Sequence, residues 1–327
     1  MRLFSATILI ALAAIATFGQ SPPTLRIVTE TPGLPSELFY GDVKVKPLRL
    51  RPGTNIPITI NDPDFYVSQQ YVDFLGRFPD QLGLGFWQNE ITTCGSNVGC
   101  IEVKRINVSA AFFLSTEFQG TGYLVYKMHK AAFGDRFGDA QPPSGPPPPK
   151  VPIRRADFIT DAKTIANGII VGQPGGPWEA ALEANKQAFA LAFVQRAAFQ
   201  TEFPLSMSAL DFVNKLDDSN HAGQVLNTNQ KADLVAILGG VTSGDSAKRA
   251  QVVRRIAENA NMHTQNFNKA FVLMQYFGYL RRDPDSGPDT NFGGYNFWLK
   301  KLNDFGNFVD AEMVKAFILS TEYQNRF

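Results

Sequence analysis

Two sets of opposite charges, repeated along the chain, are the first candidates for chemistry. Arg77, Pro79 and Asp80 stand close together, and Arg282, Pro284 and Asp285 return 205 positions on. A carboxylate follows each set, Glu117 after the first and Glu322 after the second. A guanidinium grips a carboxylate or sulfate through two parallel hydrogen bonds, so each Arg could clamp an anionic ligand. It could equally pair with an acid of its own stretch, Asp80 or Glu117 in the first and Asp285 or Glu322 in the second. Both acids recur beside each Arg, which favours pairing that pins a helix junction.

Other groups offer less. Asp283, Asp285 and Asp289 surround Gly287 in a loop that hard cations would like. The distant bidentate Glu of a calcium loop is absent and Pro288 stiffens the turn, so a capped turn is the better reading. Trp87 and Trp298 could stack on sugar rings, but each follows a Phe at helical spacing and reads as core. The three histidines, His129, His221 and His263, have no ligand spacing. No metalloprotease, nucleophile-elbow or phosphate-loop signature occurs. The chain is therefore expected to be no enzyme and to hold neither metal nor cofactor.

The elements around these residues carry an internal repeat. Val67 to Asp80 and Val272 to Asp285 share Val67, Gln70, Tyr71, Leu75, Arg77, Pro79 and Asp80 with the residues 205 later. The positions Val67, Gln70, Tyr71, Phe74 and Leu75 line one face of a helix. Gly83 to Trp87 answers Gly294 to Trp298, and Ala111 to Gln119 answers Ala316 to Gln324. Length differences fall between these anchors, as in a duplicated helical unit. A fainter echo, Phe199 to Phe203, lies between the two copies.

The 327 residues are 44% hydrophobic, include 27 Phe, and carry a net charge of +1. Such a chain buries a large aromatic core and has no global attraction to nucleic acid. Residues 1–20 read as a cleavable signal peptide, with Arg2 before a short apolar run and Ala14-Ile15-Ala16 as a cleavage signal. Export predicts a disulfide between Cys94 and Cys100. A metal site or redox pair is the alternative, though the spacing suits neither.

Residues 21–61 read as an extended leader and a small β-hairpin. Lys44, Lys46, Arg49 and Arg51 alternate with apolar residues there, and Ile56, Ile58 and Ile60 form the return. The four cations are either a solvated edge or a contact for an acidic polymer. Residues 62–138 form repeat unit one. Residues 139–152 are a Pro-rich linker or surface loop. Residues 153–327 form a helical domain with a degenerate middle and repeat unit two at 266–327.

The repeated residues Leu75, Gly76, Arg77, Pro79, Asp80, Gly83, Leu84, Trp87, Ser115, Glu117 and Phe118 resemble the motif of a bacterial family, domain of unknown function 4214. The pattern is also similar to the repeat of phycobilisome linker proteins. Copy two departs at Arg281 and Tyr323, and Gly287 is no clear stand-in for Gly83. The resemblance implies helical bundles in secreted or surface-associated proteins and implies no activity. The expectation is an all-α protein of duplicated helical-bundle units with a small N-terminal β-hairpin. Its expected role is a secreted, non-enzymatic interaction or scaffold module of the cell envelope. Its partner would be a protein or an envelope polysaccharide, with no nucleic acid and no membrane span. Binding of acidic surface polysaccharide is the alternative.

Overall fold

The computed structural model describes residues 25–28, 37–40, 43–45, 56, 58–139, 150–239 and 244–327. The expected signal peptide, and Lys46, Arg49 and Arg51, lie outside them. Met1–Pro47 forms a small unit by itself. Strands β1 (Leu25–Val28), β2 (Glu37–Tyr40) and β3 (Val43–Val45) pair antiparallel in that order. Leu25 faces Tyr40, and Leu38 faces Val45. Strand structure thus begins inside the stretch read as extended leader. The alternation at Val43–Val45, which includes Lys44, lies in a strand, whereas Ile58 and Ile60 do not. Asp62 accepts from the Thr59 amide at 2.6 Å and folds that stretch into a turn before the first helix.

Leu48–Phe327 is the second unit and is mostly helical. Helix α1 (Pro63–Gln70) starts with proline in its first turn, where no amide donor is missed. It passes into a π-helical turn at Tyr71–Leu75 and stops at Gly76, whose φ of 66° is left-handed. Helices α2 (Gln81–Thr92), α3 (Val98–Leu114) and α4 (Thr116–Gly120) follow. The Cys94–Cys100 disulfide closes the loop between α2 and α3.

Helix α5 (Gly122–Phe133) is the centre of the unit. Its residues from Gly122 to Ala132 are all buried, the mark of a helix enclosed on every side. Three polar side chains are buried with it. Lys130 reaches Asp135 at 3.0 Å, His129 reaches Asp161 at 2.8 Å, and the Lys127 ammonium lies 4.6 Å over the Tyr123 ring. Burial lowers the Lys127 pKa to about 8.

The chain then forms β4 (Phe137–Gly138), which pairs antiparallel with β5 (Lys150–Val151). The two ends of the proline-rich run are therefore side by side within one unit. Helices α6 (Arg155–Ala166), α7 (Pro177–Val194), α8 (Ala197–Glu202), α9 (Ala209–Asp217), α10 (Thr228–Leu238) and α11 (Ser246–Ala257) make the middle. Helix α12 (Ala260–Gln275) ends, like α1, in a π-helical turn, Tyr276–Leu280. Helices α13 (Gly293–Phe305), α14 (Met313–Leu319) and α15 (Thr321–Gln324) close the unit.

Apolar spacing alone predicts unbroken helices over Ile101–Phe118, Trp178–Phe203 and Val309–Tyr323, and the structure interrupts each. The first breaks at Ser115 and the second at Gln195 and Arg196; the third begins only at Met313, after a turn in which Glu312 has a left-handed φ of 53°, and breaks again at Ser320. Ser115, Arg196 and Ser320 all have φ near −60° and ψ of 140° to 146°, an extended residue between two helices. The two serines accept from the amides of Phe118 and Tyr323, both at 3.1 Å, and so cap the following helices.

Aromatic rings fill the core. Phe113 meets Phe118, Phe267 and Phe271 within 5.4 Å between centroids. A second group joins Phe193, Phe199, Phe203 and Phe212 under the middle helices.

Candidate functional site

Each repeated Arg stands just after a π-helical turn, where the chain reverses toward the next helix. In the first corner Arg77 donates from Nε and Nη2 to the two oxygens of Glu117, at 2.7 and 2.8 Å. Glu117 is buried, so the pair is a bidentate bridge with little water on the acid. Burial alone would lower the Arg77 pKa; the Glu117 carboxylate, with smaller help from Tyr71 and Asp80, more than reverses this and raises it. Asp80 lies 3.6 Å from Arg77 and accepts from the Gly83 amide at 2.8 Å, capping α2.

The second corner repeats this arrangement. Arg282 donates from Nε and Nη2 to Glu322 at 2.6 and 3.1 Å. The guanidinium carbon of Arg77 lies 4.9 Å over the Tyr71 ring, and that of Arg282 lies 5.3 Å over Tyr276. Trp87 packs on Phe112 at 5.7 Å, and Trp298 on Phe317 at 5.9 Å. Gln119 donates to the Phe113 carbonyl at 2.8 Å, and Gln324 to the Ile318 carbonyl at 2.7 Å.

Of the two acids offered for Arg282, Glu322 is the partner. Asp285 does not meet Arg282; it takes both Nη groups of Arg154. Asp289 holds Arg282 instead, at 2.8 Å. Asp289 is thus the second carboxylate of this corner, though it bonds Nη2 of its Arg whereas Asp80 approaches Nη1. Gly294 is the true counterpart of Gly83. A Cβ at Gly83 would lie 2.1 Å from the Tyr71 hydroxyl, and one at Gly294 would lie 2.6 Å from the Tyr276 hydroxyl. The Asp283 side chain accepts from the Arg155 amide at 2.9 Å, and the Asp283 backbone carbonyl accepts from the Ser286 amide at 3.2 Å, closing the loop as a hydrogen-bonded turn.

The two corners meet through their π-helical turns. The Phe74 and Tyr279 rings touch edge to face at 5.2 Å. Tyr279 donates to Gln70 at 2.7 Å and also bonds Ser109. Asp73 has no exposed side-chain surface and takes two bonds from Arg326, at 2.7 and 3.1 Å.

The middle helices use another ion pair. Arg196, at the kink residue, donates both Nη groups to Asp161 at 2.8 Å. Here Arg196 takes the extended backbone position that Ser115 and Ser320 take, and the acid comes from α6. Phe199 occupies the buried place of Phe118, so the faint echo is displaced from the register read in the sequence. Sequence reading missed this pair because neither residue belongs to the repeated motif.

An open groove of about 690 Å³ lies beside the first corner. Tyr71, Arg77, Asp80, Trp87 and Glu117 line it, and Ile170 to Gln173 form its far side. Its charged groups are engaged with one another. Its rim is apolar: Leu82 is 86% exposed, Phe86 59% and Ile170 55%, with Phe78 nearby at 68%. Among the described residues no cluster of three His, Cys, Asp or Glu side chains could hold a metal ion. No described helix is long and apolar enough to cross a membrane. Comparison with protein-family models, curated proteins and solved structures returns no match.

Proposed function

We propose that this chain is a non-enzymatic interaction or scaffold module, exported to the cell envelope or exterior, that binds another protein through the groove beside Arg77. The observation that carries this reading is the exposure of Leu82, Phe86 and Ile170 around an open groove. Clustered apolar side chains left in water mark a contact surface. The groove's acids are spent on Arg77 and Gly83, which leaves them poorly placed for acid–base chemistry or for hydroxyl-rich sugars.

The two corners support a further reading, that residues 62–138 and 266–327 derive from one duplicated helical unit. The matched ion pairs, glycines and kinked serines support it, and so does the resemblance to domain of unknown function 4214. The Cys94–Cys100 disulfide supports an oxidising compartment and so an exported protein.

The test is capture of partners from an envelope fraction by the tagged chain, wild type against Leu82→Glu. Leu82 lies almost wholly in water, so the variant keeps its fold. Recovery of the same proteins by both forms would overturn this site.

A further inference from the structure

The second corner shows what the first lacks. Trp298 follows Asp285 by 13 positions, whereas Trp87 follows Asp80 by only 7. The additional residues fold back onto Arg282. Its Nη1 donates to the Ser286 carbonyl at 2.7 Å and lies 3.3 and 3.4 Å from the carbonyls of Asp283 and Pro284. Gly287 lies so close that a Cβ there would sit 2.7 Å from the Arg282 Cδ. In the first corner, Arg77 Nη1 donates only to its neighbour, the Phe78 carbonyl, at 3.1 Å. Asp80 Oδ2 stands 3.6 Å from the same nitrogen, outside hydrogen-bond distance, so its second N–H still has room for a closer acceptor.

We propose that the groove beside Arg77 takes a backbone turn of a partner protein, in the manner that Ser286-Gly287 packs on Arg282. This rests on the interaction-module reading and names the chemistry of the partner. A backbone carbonyl of the turn accepts from Arg77 Nη1. The residue after that carbonyl is glycine, because the matching position against Arg282 has no room for a side chain. The turn is uncharged or basic, because Asp80 and Glu117 already outnumber the one guanidinium. An apolar side chain of the partner covers Leu82, Phe86 and Ile170.

The probe is a capped heptapeptide with the sequence Ser286–Phe292 and the change Asp289→Asn, titrated into the full chain. The readout is the indole N–H resonance of each tryptophan. A saturable shift at Trp87, without one at Trp298, is the expected result. Leu82→Glu in the protein, or Gly287→Val in the peptide, should each weaken binding at least about fivefold. No saturable shift at Trp87 by about 5 mM peptide overturns the proposal, that concentration corresponding to only about 3 kcal/mol of binding free energy. Equal shifts at both tryptophans overturn it too. If the peptide fails while partner capture still depends on Leu82, the interaction reading stands and only this turn chemistry falls.

Discussion

Phe74 and Tyr279 stand 205 positions apart in the chain, and their rings meet edge to face at 5.2 Å. Each belongs to the π-helical turn that ends its helix, so the pair fastens one corner to the other. Phe74→Ala should cost about 3–5 kcal/mol, because the surrounding helices cannot collapse around the lost ring. Tyr279→Phe keeps the ring but removes the hydroxyl that serves Gln70 and Ser109, and should cost about 1–3 kcal/mol. Urea unfolding of both variants measures the difference. A negligible change in the midpoint for Phe74→Ala would show that the corners are stable apart.

The ion pairs of the two corners should differ in strength. The Glu117 side chain is 5% exposed, whereas that of Glu322 is 34% exposed. Arg77→Met strands a buried acid and should cost about 3–5 kcal/mol. Arg282→Met leaves an acid that water can reach and should cost about 1–2 kcal/mol. Equal losses in thermal or urea unfolding would contradict the assignment.

Gly83 tests the corner by collision and rescue. Gly83→Ala places a methyl against the Tyr71 hydroxyl and should destabilise by about 1–3 kcal/mol. Adding Tyr71→Phe removes the oxygen and should restore part of that loss. The ring carbon would then lie 3.2 Å from the new methyl, so recovery is partial. A double variant no better than the single one would place the strain elsewhere.

His129 sets a pH dependence. Burial lowers its pKa, and the Asp161 carboxylate offsets that only in part, while Arg196 and Arg136 add to the lowering. The unfolded histidine titrates near pH 6.5, so between there and the lower folded pKa the unfolded chain binds the extra proton. Stability therefore falls as pH drops below about 6.5, by at most about 1.4 kcal/mol per pH unit for this one group. Asp161, whose folded pKa is also lowered, adds a loss only near and below its unfolded value of about 3.9. Urea midpoints between pH 7 and 5 isolate the histidine. His129→Asn should flatten the slope relative to wild type, with His263→Gln as the control for the other histidine whose pKa burial lowers. An unchanged slope would contradict the assignment.

The disulfide should matter locally. Closing a ring between Cys94 and Cys100 is worth about 2 kcal/mol through unfolded-state entropy. A Cys94→Ser, Cys100→Ser chain should lose that much and keep its helical circular dichroism. Loss of cooperative unfolding would give the bond a larger part.

What could be read in the residues follows from the range of the interactions. The helices of the second unit were legible because apolar spacing is local. The partners Glu117 and Glu322 were legible because the same acids return with each Arg. The breaks at Ser115, Arg196 and Ser320 were hidden, since a single extended residue hardly disturbs a 3.6-residue pattern. The π-helical turns were hidden for the same reason. Asp285 stood beside Glu322 as a candidate for Arg282 through proximity in sequence, while its own partner, Arg154, lies 131 positions away. His129 with Asp161 was invisible because only the packing of α5 against α6 brings them together.

The pairing of Phe137–Gly138 with Lys150–Val151 rivets both ends of the intervening chain to one body. Doubling the length of such a span costs only about 0.6 kcal/mol of closure entropy. An affinity sequence spliced between the two strands should therefore cost little stability, which urea unfolding of the tagged chain measures.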